Sequence, residues 1–362
     1  DVDVLLHEAE GNIFEISQRA QKRDVTQIDP VIEEAFERMR KAAKNEGNIS
    51  GVPSGITELD KITSGWQKSD LIIIAARPAM GKTAFVLSMA KNIAVNFKRP
   101  VAMFSLEMSN VQLVNRLIMN VCEIEGDKIK NGRLTKQEWN KMESKINELM
   151  GAPIYIDDTP GLSIFELQSK ARKLVREKKV ELIIIDYLQL MNANGANFGS
   201  REQEVSIISR RLKWIAKELD IPVIALSQLN RNVEKRDSSN SNVEGKKPQL
   251  SDLRESGAIE QDADMVCFIH RPEYYRIYND DKTGKDLRGL GQIIVAQHRN
   301  GATDEVWMRF IGKYAKFQNE NEGFEEDIYD NPAPQPTTTF QSKMNSTSDP
   351  HGAQLDDDIA PF

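Results

Sequence analysis

The chain has 362 residues, 40% of them hydrophobic and 28% charged, enough for one large α/β domain with appendages. It has no apolar run of membrane-spanning length and no signal peptide, and its two cysteines, Cys122 and Cys267, lack metal-site spacing, which fits buried, reduced thiols in a cytoplasmic protein. The net charge of −7 argues at first against nucleic acid, but residues 318–362 hold ten acidic residues against one lysine, which leaves a body at +2 that can still cluster basic residues on one surface.

The chain starts at Asp1 without Met, and its first residues read as the end of a helical region, so a truncated chain is expected. Residues 2–18 place Val4, Leu5, Ala9, Ile13 and Ile16 at helical spacing. A second amphipathic helix is expected from Pro30 to about Asn45, with Val31, Ile32, Ala35, Phe36 and Met39 on one stripe and Asp29-Pro30 as its start signal. That stripe packs either on its own domain or on a neighbouring subunit. Strand signals recur at 71–76, 101–106, 153–156, 181–186, 222–227 and 264–269. Helical patterns fall between most of them, at 83–96, 109–121, 136–148, 163–178 and 201–219. This alternation predicts an α/β fold with a mostly parallel sheet. Two late strands, 291–298 and 303–311, flank Arg299-Asn300-Gly301, a hairpin signal. Residues 230–250 are polar and read as a mobile loop. After Phe317, Asn, Pro, Thr, Ser and Asp predominate, and the tail should be disordered.

The chemistry gathers at strand ends. Leu71-Ile72-Ile73-Ile74 reads as a buried strand, Arg77-Pro78 breaks it, and Gly81-Lys82-Thr83 opens a helix. This is the strand–loop–helix context of a phosphate-binding loop. The N–H groups of Ala79, Met80, Gly81, Lys82, Thr83 and Ala84 are placed to face an anion. Lys82 supplies a point charge for β- and γ-phosphates, and the Thr83 hydroxyl can ligate Mg²⁺. The motif wants glycine at 76, and this chain has Ala76, so the loop should start with more ordinary backbone angles. Leu182-Ile183-Ile184-Ile185-Asp186 ends an apolar strand in a carboxylate, suited to holding Mg²⁺ through water, where a lone carboxylate would otherwise be a cap or turn residue. Glu107 ends the strand after the phosphate-loop helix. There it can orient and deprotonate an attacking water, or simply favour the dipole of the next helix. Gln228 ends strand 222–227, as a γ-phosphate sensor or an ordinary polar strand end. Arg231 follows on the basic loop and can meet phosphate or DNA. Residues 250–264 read either as a loop offering N–H groups to a phosphate chain or as a solvated helix start.

The segments ARPAMGKTA, FSLEMS, YIDDTPGLS, IIIDYLQLM, REQEVSIISRRLK, VIALSQLNR, SDLRESGAIEQDAD and HRNGAT closely resemble, in order, the DnaB-type hexameric helicases of bacterial replication. The resemblance divides the chain into the end of an N-terminal helical region and linker helix (1–50), a RecA-like P-loop ATPase domain (51–317) and an acidic tail (318–362). It implies a homohexameric ring around single-stranded DNA that uses ATP and Mg²⁺ to unwind duplex, with primase and a helicase loader as partners. A recombinase-type filament on the same fold is the alternative. By resemblance, Lys82, Thr83 and Asp186 hold nucleotide and metal, Glu107 is the base and Gln228 the sensor. Arg254, Glu255 and Gly257 line the channel loop on the DNA backbone, and Arg299 is the arginine finger on the neighbour's ATP. The family commonly has Lys two positions before that arginine, whereas Gln297 stands here. The terminus Asp356-Asp357-Asp358-Ile359-Ala360-Pro361-Phe362 is similar to the acidic tip of bacterial single-stranded DNA-binding proteins, and is either a docking tip or a solvated tail.

Overall fold

The computed structural model of the chain describes residues 27–44, 49–193, 200–230 and 243–322. Strand β1 (Leu71–Ala76) is buried along its whole length, because its six apolar residues face helices on both sides of the sheet. Ile72, Ile74 and Ala76 join one core with Phe85, Val86 and Leu117. Leu71, Ile73 and Ala75 join the other with Leu167, Ile208, Leu212 and Ile215. The period-two alternation of the strand thus serves two cores at once. Each isoleucine so buried contributes about 1.5–3 kcal/mol relative to exposure.

The helices are α1 (Ile28–Lys44), α2 (Thr57–Thr63), α3 (Lys82–Lys91, continued as a π-turn through Asn96), α4 (Asn110–Cys122), α5 (Gly126–Asn131), α6 (Lys136–Leu149), α7 (Ile164–Lys178), α8 (Arg201–Leu219), α9 (Val243–Lys246) and α10 (Gly257–Asp262). Local chemistry sets several starts. Thr135 accepts from Glu138 N–H at 3.2 Å while Glu138 reaches back to Thr135 N–H at 2.8 Å, a capping box that opens α6. Ser163 caps α7 and Ser200 caps α8 in the same sense, accepting from Glu166 and Gln203.

The remaining strands are β2 (Val101–Ser105), β3 (Ile154–Asp157), β4 (Leu182–Asp186), β5 (Val223–Gln228), β6 (Met265–His270), β7 (Leu290–His298), β8 (Asp304–Ile311) and β9 (Lys316–Asn319). The sheet order is β3-β2-β4-β5-β1-β6-β7-β8-β9. Strands β1 to β6 pair in parallel, and β7, β8 and β9 extend the sheet antiparallel. The mostly parallel α/β sheet expected from the sequence is present, and the hairpin at Asn300-Gly301 joins β7 to β8. Strand β9 went unrecognised because its four residues lie at the edge of the polar tail. Cys122 and Cys267 are buried free thiols.

Of the two sequence readings of residues 250–264, the helix start is the one present: a 3₁₀ stretch over Leu250–Ser256 followed by α10. Another segment differs from its reading. The loop expected over 230–250 contains α9, and Lys247 beyond it is held by Glu305 at 2.7 Å. The helix expected over 2–18, most of the basic loop with Arg231, and the tail after Glu322 lie outside the described residues. The stripe of α1 is not packed on its own domain: Ile28, Val31, Ile32, Phe36 and Met39 are all exposed. No helix of the described residues is long and apolar enough to cross a membrane.

Candidate active site

Four strand ends meet at the carboxyl edge of the sheet, where open parallel sheets bind ligands. The register sets Ala76 beside Gln228 and Ser105 beside Asp186. The loop leaving β1 takes positive φ at Ala79 (65°) and Gly81 (92°). Ala76 stays in the β-ladder, so its methyl costs the loop nothing, and the left-handed turn falls later. At Gly81 a side chain would be strained, and a Cβ would lie 3.1 Å from the Phe317 ring on β9. The last strand therefore floors the loop, with Phe317 edge-on to Phe85 at 5.7 Å.

Lys82 begins α3, half-buried, its ammonium 3.4 Å from Ser227 O and 4.7 Å above the Tyr187 ring. Burial lowers its pKa, against the pull of Asp186 and Glu107. Thr83 Oγ1 donates to Asp186 Oδ2 at 2.8 Å. Asp186 is fully buried and its pKa is raised, by burial first and Glu107 second, against the Thr83 hydrogen bond and Lys82. Its other oxygen, Oδ1, is buried without a hydrogen-bond partner. An orphaned carboxylate oxygen beside a hydroxyl and below a phosphate loop fits a hard divalent cation. Among the described residues no group of three His, Cys, Asp or Glu could hold a metal alone, so a cation here needs the nucleotide's own oxygens.

Glu107 stands exposed in a turn after β2. Ser105 Oγ closes that turn, donating to Met108 O at 2.8 Å and accepting Met108 N–H at 3.1 Å, while Leu106 N–H binds Asp186 O at 2.7 Å. The turn brings the carboxylate near enough for its charge to act on Lys82 and Asp186. Gln228 is also exposed at the end of β5. Sequence reasoning missed Gln189, whose amide donates to Ser227 Oγ at 2.8 Å and whose oxygen accepts Gln228 N–H at 3.4 Å. Its signal was its place three residues after Asp186. It also missed Arg271 at the end of β6, which lies 3.9 Å from the Phe310 ring centre and donates to Ala79 O at 3.4 Å.

Arg299 lies elsewhere. It follows His298, which pairs with Met265, which in turn pairs near the start of β1. This is the opposite edge of the sheet from the phosphate loop, at least about 13 Å away along the strands. Its side chain is 46% exposed, with the guanidinium 3.7 Å from Asp264. Gln297 turns inward, donating to Glu260 O at 3.3 Å and Ala263 O at 3.5 Å at the end of α10. It cannot serve as a second outward cation. Arg254, Glu255 and Gly257 fall on the 3₁₀ stretch and the start of α10.

Asp70, just before β1, is buried beside Asp264, and burial, then that neighbour, pushes its pKa from 3.8 up to about 6. The folded state therefore holds this proton more tightly than the unfolded chain, and the cost of ionising it is fully present above pH 6 and fades as pH falls towards 4. Asp70→Asn is expected to stabilise the protein by about 2 kcal/mol at pH 7.5, with the gain vanishing near pH 4. Urea midpoints at the two pH values check this, and an equal effect at both would exclude the titration.

The family described as the DnaB-like helicase C-terminal domain matches residues 51–319. The chain is 44% identical over 326 residues to replicative DNA helicase DnaB of Geobacillus stearothermophilus, covering 90% of this chain and 69% of that protein. It is 43% identical, with the same coverage, to replicative DNA helicase DnaC of Bacillus subtilis. Among solved structures, one described as an ATPase domain superposes with a TM-score of 0.72 at 41% identity, over 82% of this chain and 99% of that one. A DnaB-like replicative helicase studied with primase gives 0.69 at 39%, over 86% and 71%. A nucleotide-binding RecA-type ATPase sheet and a family match spanning it end to end make this chain a member of the DnaB-like helicase family.

Proposed function

We propose that the chain is an ATP-driven replicative DNA helicase, working as a six-membered ring that moves on single-stranded DNA and separates duplex. The observation that carries this is the division of the groups assigned here to catalysis between two edges of one sheet. Lys82, Thr83, Asp186 and Glu107 gather at one edge, and Arg299 is exposed at the other. Only a head-to-tail neighbour can bring the two together, and head-to-tail contacts build closed rings or open filaments. Kinship to replicative helicases along nearly the whole chain favours the ring over a recombinase-type filament.

In this reading the loop N–H groups and Lys82 hold the phosphates of ATP, and Thr83 with the orphaned oxygen of Asp186 holds Mg²⁺, which neutralises phosphate charge when bound. Glu107 orients a water and takes its proton. Gln228, braced by Gln189, reports the γ-phosphate to the chain beyond β5. The guanidinium of Arg271 on Phe310 offers a flat cationic face to the base. The bare apolar stripe of α1 docks on an adjacent subunit. Primase, paired with a DnaB-like helicase in one related structure, is proposed as a partner, as is a loader. Native mass spectrometry with and without ATP, beside a strand-displacement assay, tests the whole. Open filaments without strand separation would overturn it.

The DNA contact is assigned to residues 250–257. Arg254→Ala is expected to weaken single-stranded DNA binding equally for all sequences, because phosphates carry no base identity. It should also lower the slope of log affinity against log salt by roughly 0.7, the value for one lost phosphate contact on a single strand. Fluorescence anisotropy on homopolymers across a salt series measures both. A loss confined to some sequences would mean base readout.

A further inference from the structure

The edge of the sheet opposite the phosphate loop carries, beside Arg299, a buried carboxylate that the chemistry above does not use, Asp264. Asp264 begins the turn into β6. Its Oδ2 accepts Leu71 N–H at 2.8 Å, and its own N–H donates to Leu71 O at 2.9 Å. The ammonium of Lys213 on α8 bonds the same Oδ2 and also Ser69 O, the latter at 2.8 Å. One carboxylate oxygen is thus spent on the frame: the start of β1 and helix α8. The other, Oδ1, faces the guanidinium of Arg299 at 3.7 Å. The backbone of Arg299 is fixed to the same residue, its N–H donating to Asp264 O at 2.9 Å. A second guanidinium nitrogen of Arg299 donates to Gln261 O in the last turn of α10, and Gln297 grips the same turn.

An arginine at a hairpin end has several rotatable bonds, and holding it ready costs rotamer entropy at the moment it acts. Here that cost is met within the subunit. The contacts on its own chain engage two of the three guanidinium nitrogens and leave the side chain 46% exposed. Asp264 itself is buried and tied on three sides, so it can fix the arginine without following it.

We propose that Asp264 is the positioning residue for Arg299, holding the guanidinium outward for the neighbouring subunit's nucleotide from a carboxylate anchored by Lys213 and Leu71. This rests on the reading of Arg299 as acting in trans. Asp264 touches no substrate. Its effect runs through the geometry of the arginine, where a displacement of about 1 Å can cost a hundredfold in rate.

The test uses the full chain assembled with single-stranded DNA, and reads kcat for ATP, nucleotide affinity, and the activity of mixed rings. Asp264→Asn is expected to lower kcat about tenfold to a hundredfold with affinity for a fluorescent ATP analogue unchanged. Mixed with Lys82→Ala subunits, which keep a sound arginine, it should recover activity. Mixed with Arg299→Ala subunits it should not, because neither chain then presents a working arginine. Recovery in that second mixture would show that Asp264 serves its own chain's pocket and would overturn the proposal, as would a wild-type kcat for Asp264→Asn alone. A mixture of Arg299→Ala with Lys82→Ala reports on the trans reading separately. Failure there removes both, whereas success there with recovery in the Asp264→Asn and Arg299→Ala mixture removes only this one. Should Asp264→Asn not assemble, Asp264→Glu, which keeps the charge but displaces it by one methylene, goes through the same mixtures, and recovery beside Arg299→Ala overturns the proposal in the same way.

Discussion

Arg299→Ala is expected to lower the DNA-stimulated kcat about a thousandfold or more, the range found when an arginine that stabilises transferring phosphoryl charge is removed. The size follows from its isolation. Gln297 turns its amide inward to the carbonyls of α10, so no second cation accompanies Arg299 on that strand end. A charge developing on the neighbour's phosphate would therefore meet one guanidinium. The distance along the strands argues against service to its own chain: β7 delivers Arg299 to the end of the sheet where β1 begins, and the phosphate loop leaves where β1 ends. Rings mixed from Arg299→Ala and Lys82→Ala subunits should accordingly regain part of the activity that each lacks alone, since some interfaces pair a sound loop with a sound arginine. ATPase activity against mixing ratio reads this directly, and a flat line at zero would place Arg299 in cis or outside the chemistry.

The parts of this site legible in the sequence are those where one chain segment carries its own context. A four-residue apolar run followed by a loop and Gly81-Lys82-Thr83 specifies strand, turn and helix without help from elsewhere, and Asp186 gains its meaning from an equally plain strand. The departure at Ala76 proved harmless for a reason that pattern matching does not contain: the residue is still in the ladder beside Gln228, and the left-handed angles fall at Ala79 and Gly81. What escaped was what the fold assembles from distant pieces. Asp264 reads as an ordinary residue ahead of a strand until the sheet brings Lys213, Leu71 and Arg299 around it, from segments dozens of residues away. Phe317 looked like the last apolar residue before a polar tail, yet it floors the phosphate loop. Residues 250–264 stayed open between two readings because small and charged residues suit either an exposed loop or a solvated helix, and the carbonyls of α10 meet their side-chain partners from Gln297 on β7 and Arg299 just beyond it.

Glu107→Gln is expected to lower kcat at least about a hundredfold while leaving nucleotide binding intact, the scale set by loss of a positioned general base. The substitution keeps size and hydrogen-bonding capacity, so the turn closed by Ser105 and Met108 should persist and with it the placement of the side chain. What is lost is the ability to take a proton. The neighbouring groups cannot supply it. Asp186 has one oxygen on Thr83 and the other buried, and Lys82 is a cation whose ammonium leans on Ser227 O. Glu107 is the carboxylate of this edge that faces solvent, where a water can reach it. Lys82→Ala should behave differently, losing affinity as well as turnover, because its charge belongs to binding. The two variants compared by single-turnover hydrolysis and by titration of a fluorescent nucleotide separate chemistry from binding. If Glu107→Gln hydrolyses ATP at the wild-type rate, the proton goes elsewhere, and the carboxylate after β2 only favours the dipole of α4.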